Sequence, residues 1–350
     1  MKADYVSIIE AAYRLDLDEV DWLRAIANAA LTCVDDGLGV VVYTFDASDP
    51  ANFRPGLLVA AGTSQPIDWT HMLATTPELG EEIVRKLYLP SPPALLLSEC
   101  LGPAAVAPST APEPIRRNML EQGIADAIGI RGVDPSGKGC LVAVPLSSAR
   151  RIAPRRRRVL AQVAAHLAAG WRLRHGLDSD ATPLEQADGV LDARGRVEHF
   201  RDVDASREDL HALRAAAQRI SRSRRLRLSD PHRSVALWEA LVAGRWSLVE
   251  HFERDGRRYL LVKRNDPNIT DPRALTLRER QVVTYARLGH SNKLIAYELG
   301  LAPSTVSQQL RSGLAKLGLG SRVALVQLFG AGPSGDGSRP KGEEPDVEAG

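Results

Sequence analysis

The chain has 350 residues, 44% hydrophobic and 25% charged, with a formal net charge of only +2. That composition supports buried cores and excludes a disordered or collagen-like chain, and the length predicts two or three domains. Its three cysteines, Cys33, Cys100 and Cys140, are odd in number and widely spaced, so neither a disulfide framework nor a metal cluster follows from them. No apolar run reaches the ~18 residues of a membrane span, and the opening MKADYVSIIE lacks the build of a signal peptide. The expectation is a cytoplasmic protein with no metal, no cofactor and no membrane contact.

In chain order, residues 6–31 carry apolar side chains at helical intervals, from Val6, Ile9 and Tyr13 to Leu23 and Ile26. Residues 38–45 and 56–61 read as strands, 76–87 and 115–122 as helices. Residues 127–133 and 140–145 form a hairpin around the turn DPSGKG. That turn has Gly139 where a phosphate loop needs Ser or Thr after the lysine, and it precedes a strand, so it is a turn only. A long helix over 154–174 closes the unit, with Arg155–Arg158 spread around a solvated face. This element order resembles GAF-type sensory domains, which implies an α/β sensory domain over residues 1–175 able to take a small-molecule ligand.

Residues 189–200 read as a second hairpin, 206–220 and 234–243 as helices, and 246–262 as a third hairpin turning at Asp255 and Gly256. Val190, Leu191, Val197, Leu237, Trp238, Leu241, Trp246, Leu248 and Leu260 are the expected core. The basic run 219–227 reads as a surface loop, with an auxiliary nucleic-acid contact as the alternative. Strand pair, helices, strand pair is similar to PAS domains in order, which implies a PAS-like α+β middle domain over residues 176–264. Residues 265–272 have linker chemistry, and residues 331–350, rich in Gly, Pro and acidic charge, read as a disordered tail.

The segment 276–322 carries the most specific chemistry. Two short helices joined by a turn at Gly300, the second opened by Pro303, have the dimensions of a helix-turn-helix. From Arg273 to Gly330 eight basic residues face two acidic ones, a net of +6 against +2 for the whole chain. Positive charge is thus concentrated where DNA phosphates would be met.

These residues resemble the DNA-binding domain of LuxR-type transcription factors. Leu275, Thr276, Arg278, Glu279, Val282, Gly289, Ser291, Asn292, Lys293, Ile295, Ala296, Leu299, Thr305, Val306, Lys316, Leu317 and Arg322 match its pattern at the correct spacings. The resemblance covers the last sixth of the chain and implies an all-α four-helix domain over residues 273–330. Thr276 with Glu279 forms a capping box, and Ser291 caps the next helix. The resemblance places Ser307, Gln308 and Arg311 at the bases. Gln suits the N6 and N7 edge of adenine, and Arg the O6 and N7 edge of guanine. Asn292, Lys293, Thr305, Gln309 and Lys316 fall to the phosphate backbone, which positions without reading. Two positions depart from the pattern: Ala302 stands where a capping Ser is usual, and Gln309 where a His is usual.

Taken together, the chain reads as an α+β multidomain, one-component transcriptional regulator that binds double-stranded DNA as a homodimer. The signal would be a small molecule at the N-terminal domain. The N-terminus lacks the acidic cluster of a phosphoreceiver, and the pattern of an acyl-homoserine-lactone domain is not found. A scaffold whose sensory-like domains only oligomerise is one alternative. An enzyme domain tethered to DNA is another, although no paired carboxylates, nucleophile motif or metal-spaced cluster supports catalysis.

Overall fold

The computed structural model describes residues 3–62, 67–89, 93–176, 182–201, 205–252, 258–265, 275–317 and 319–330. The first part runs α1 (Tyr5–Ala12), α2 (Glu19–Val34), β1 (Val40–Asp46) and β2 (Arg54–Ala61). Short elements follow: α3 (Trp69–Ala74), α4 (Glu81–Tyr88), β3 (Ala94–Leu96), α5 (Leu97–Leu101) and α6 (Glu113–Asn118). Then come β4 (Asp126–Val133), β5 (Lys138–Leu146) and the long α7 (Pro154–His175). The middle part holds β6 (Gly189–Asp192), β7 (Val197–Phe200), α8 (Arg207–Leu226), α9 (Pro231–Leu237), β8 (Trp246–Phe252) and β9 (Arg258–Arg264). Four helices end the described chain: α10 (Leu277–Arg287), α11 (Asn292–Leu299), α12 (Pro303–Lys316) and α13 (Arg322–Gly330).

The strands form two sheets, ordered β2-β1-β5-β4-β3 and β7-β6-β9-β8. Their pairings are antiparallel throughout, which makes the class α+β and replaces the α/β character expected for the first part. The period of two along each strand decides what each face meets. In the first sheet Val40, Val42, Ile128, Ile130, Val142 and Val144 point to a core shared with α1, α2 and α7. Tyr43, Leu141 and Ala143, one residue out of phase, point to the other side, toward Tyr88 and Val84 of α4. Gly132 on β4 lets the strand approach α7 closely, since a Cβ there would lie 2.4 Å from the Leu167 Cβ.

Both sheets feed one buried cluster that runs from Tyr5 through Trp22, Leu160 and Trp238 to Leu261. Among the expected middle-core residues, Leu191, Trp238, Trp246, Leu248 and Leu260 are buried, while Val190 and Val197 pack at its edge. Leu237 is half-exposed. Leu241 leaves this core altogether and inserts among the C-terminal helices.

Several local readings are corrected. The helical pattern over 6–31 breaks, because Asp18 accepts the Asp21 amide and starts a new helix there. Gly80, at φ 83°, splits the expected 76–87 helix into a 3-10 turn (Thr76–Leu79) and α4. The basic run 219–227 is no surface loop: α8 continues through Leu226. Arg224 pairs with Glu10 at 2.8 Å, Arg227 with Asp4 at 3.6 Å, and Arg219 with Glu239 at 2.9 Å. Those cations bind the acidic side of α1 and the Glu239 segment. The turn at 255–256, most of the 265–272 linker and the tail 331–350 lie outside the described residues. Among the described residues no helix is long and apolar enough to cross a membrane.

Candidate nucleic-acid interface

The C-terminal helices are built by local signals. The Thr276 side chain accepts from the Glu279 amide while the Glu279 carboxylate takes the Thr276 amide at 2.8 Å, so both orphan donors at the start of α10 are satisfied. The Ser291 hydroxyl accepts the Leu294 amide and starts α11. Gly300 ends α11 in the left-handed region (φ 61°, ψ 42°), where residues with a Cβ are strained. Ala302 occupies the N-cap of α12 without any side-chain hydrogen bond, and Pro303 takes the first helical position. Val282, Val283, Ile295, Leu299, Val306, Leu310 and Leu325 are buried together.

α12 packs on α10 and α11 and turns its other side outward. Ser307, Gln308 and Arg311 are exposed on that side, and Lys293 is exposed at the start of α11. Thr305, Gln309 and Asn292 are half-exposed beside them. Ser307 is not a free hydroxyl: it donates to the Pro303 carbonyl at 3.0 Å and accepts from Asn292 Nδ2 at 3.1 Å. Arg322 holds Asn292 Oδ1 at 3.0 Å and also bonds the His290 carbonyl, so Asn292 is braced from behind. Ser307 and Asn292 thereby fix α12 against α11, while Gln308 and Arg311 extend from the same face.

Lys316 is exposed but paired within the domain. Its Nζ lies 2.7 Å from Glu279 Oε2, and Ser312 Oγ donates to Glu279 Oε1 at 2.5 Å. Lys316 first, then Ser312 and the Thr276 amide, pull the Glu279 carboxyl down to about 2. The buried carboxylate therefore joins the N-terminus of α10 to the C-terminal end of α12. His290 and Glu298 form a second inward pair, with Nδ1 and Oε2 2.8 Å apart.

The positive charge of the segment divides between two surfaces. Arg278 bonds the Ala243 carbonyl, and Arg287 the Pro135 carbonyl at 3.1 Å, so both face the rest of the protein instead of phosphates. Gln281 Nε2 donates to the Gly244 carbonyl at 2.9 Å on the same side. Arg273 lies outside the described residues.

This inner side is a buried seam that the sequence pattern did not reveal. His166 of α7 is fully buried, with Nδ1 3.0 Å from the Tyr13 hydroxyl and Nε2 2.8 Å from the Trp238 carbonyl. Tyr297 of α11 meets the same Nε2 at 2.6 Å and donates to the Val235 carbonyl at 2.8 Å. This set of partners fits a neutral ring that donates from Nε2 and accepts at Nδ1. Burial pushes its pKa down to about 3. Four buried side chains, from the end of α1, from α7, from the segment after α9 and from α11, thus meet in one site.

Residues 273–329 match the family described as bacterial regulatory proteins, luxR family. No curated protein matches the chain. Helices α10 to α13, with capped starts at α10 and α11 and an outward α12, form a LuxR-type helix-turn-helix domain.

Proposed function

We propose that the chain is a one-component transcriptional regulator in which residues 3–264 receive a signal and pass it to the helix-turn-helix domain across the buried seam. The exposed α12 face, with Gln308 and Arg311 on a helix braced against α11 through Ser307 and Asn292, is the observation that carries the DNA-binding part. Arg and Gln side chains of this kind read guanine and adenine edges in the major groove. Lys293, Thr305 and Gln309 flank them as phosphate contacts. The first sheet with its surrounding helices supports a GAF-like sensory role. The second sheet, with α8 and α9 between its strand pairs, supports a PAS-like one. The reading assigns no catalytic step to the chain, and places it in the cytoplasm with its DNA.

The working unit in this reading is a homodimer, with Val323 of α13, 64% exposed, offered to the partner copy. A two-fold dimer reads two half-sites one helical turn, or a multiple, apart. Selection of duplexes by the intact chain from a randomised library tests the proposal. The expected product is a pseudo-palindromic motif in which Arg311→Ala relaxes the preference at one base position of each half-site. Recovery of unenriched sequence would overturn it.

A further inference from the structure

On the face of the first sheet turned away from α7 lies a cavity of about 170 Å³. Its floor is the out-of-phase strand residues Tyr43, Gly129, Arg131 and Ala143, and its walls come from the short helices α3 to α6. Most of the lining is aliphatic or aromatic. The polar groups in the wall largely satisfy one another. The Tyr43 and Tyr88 hydroxyls are 3.0 Å apart, and Asn118 Nδ2 donates to Thr75 Oγ1 at 2.6 Å. Arg131, 5% exposed, donates to the Leu87 carbonyl at 2.7 Å. Trp69 is different: its indole Nε1 is buried with no hydrogen-bond partner, alone in this among the described lining side chains. Indole N–H groups are donors only, and buried ones normally find an acceptor. Gly129 adds room, since the nearest atoms to a Cβ there are 4.0 Å away.

We propose that this cavity is a binding site for a single-ring aromatic, or a comparably small apolar compound, that carries one hydrogen-bond acceptor and no positive charge. A dry apolar cavity of about 150 Å³ is known to hold a benzene ring, which sets the size. The acceptor answers Trp69 Nε1. Arg131 is the one charged side chain among the described lining residues and no carboxylate joins it there, which excludes a cation. The site rests on the reading of the N-terminal part as the signal receiver and names the signal's chemistry. Its route outward is short. Arg131 faces the cavity, while its neighbour Gly132 packs on Leu167, next to His166 of the seam.

Calorimetric titration of the intact chain with acetophenone, benzoate, toluene and benzylammonium tests it. Acetophenone, benzoate and toluene bind, and benzylammonium does not. Trp69→Phe weakens acetophenone about tenfold, the worth of one buried hydrogen bond, and leaves toluene within about twofold. Gly129→Leu, which fills the space, abolishes all three, with its far-ultraviolet spectrum and melting unchanged in form. No binding by any probe, equal losses of acetophenone and toluene in Trp69→Phe, or undiminished binding by Gly129→Leu would each overturn the site. DNA binding is measured on the same samples. A chain that binds DNA but no probe refutes only the cavity, and one that binds probes but no DNA refutes only the regulator.

Discussion

The two surfaces of the C-terminal helices differ in chemistry and in how they are held. Outward, α12 offers Gln308 and Arg311, long exposed side chains with polar ends. Inward, α10 and α11 present Tyr297, Gln281 and Arg278, each engaged with a backbone carbonyl of residues 235–244. Among the described residues, the rest of the protein leaves this face of α12 uncovered. In the proposed reading, control acts through the position of α11 and not by blocking α12. The difference also separates substitutions that should affect DNA from those that should affect docking.

The largest expected effect breaks the inward surface. Gly300→Ala forces a Cβ into the left-handed region and to within 2.2 Å of the Leu241 carbonyl. Strain of about 1–2 kcal/mol and overpacking of similar size predict a loss of about 3 kcal/mol in stability. Denaturant unfolding of the intact chain reads this directly. Next comes the outward surface: Arg311→Ala should leave melting unchanged and weaken binding to a selected site by about 1–3 kcal/mol, with relaxed preference at one base position. Lys293→Ala should weaken binding evenly across sequences and reduce its salt dependence, which anisotropy titrations in two salts would separate.

The seam carries its own pH signature. Burial holds the folded pKa of His166 at about 3, well below the ~6.5 of an unfolded histidine. The unfolded chain takes the proton first, so stability is full above about pH 6.5 and is lost as pH falls from there toward 3. The slope approaches about 1.4 kcal/mol per unit. His166→Gln, which keeps a hydrogen-bonding group but does not titrate, should flatten the pH 6.5–5 part of the melting curve. Carboxylates such as Glu279, depressed to about 2, keep their full contribution above about pH 4.5 and lose it only below. The smallest effect is a gain. Ala302→Ser restores a cap to α12 and should add about 1 kcal/mol, visible as a rise in melting temperature without change in sequence preference.

What could be read from sequence follows from interaction range. The helices at Thr276 and Ser291 were legible because their caps lie within three residues of the positions they fix, and the helix at Pro303 because proline suits a first helical position. The hairpin of β4 and β5 was legible from one turn. The six-residue α3 was not, since so short a helix has no periodicity to detect, and Trp69 reads in sequence as a residue of loop packing or of a pocket wall alike. The division of positive charge was also hidden, because Arg278 and Arg287 have the same local pattern whether they face phosphate or the Ala243 and Pro135 carbonyls. Most hidden was the seam. Tyr297 and His166 are 131 residues apart, and Tyr13 and His166 are 153 apart. Nothing near any of them in sequence announces the meeting. A lone histidine inside an otherwise apolar helix face was the one available signal.

The central claim is that the intact, docked chain presents an open reading surface. Its most direct measurement is equilibrium binding of the full-length protein to its selected duplex and to a scrambled duplex, across a series of salt concentrations. The account predicts affinity for the selected duplex at least about a thousandfold higher, with binding to both falling as salt rises. Equal affinity for the two duplexes at every salt concentration would contradict it.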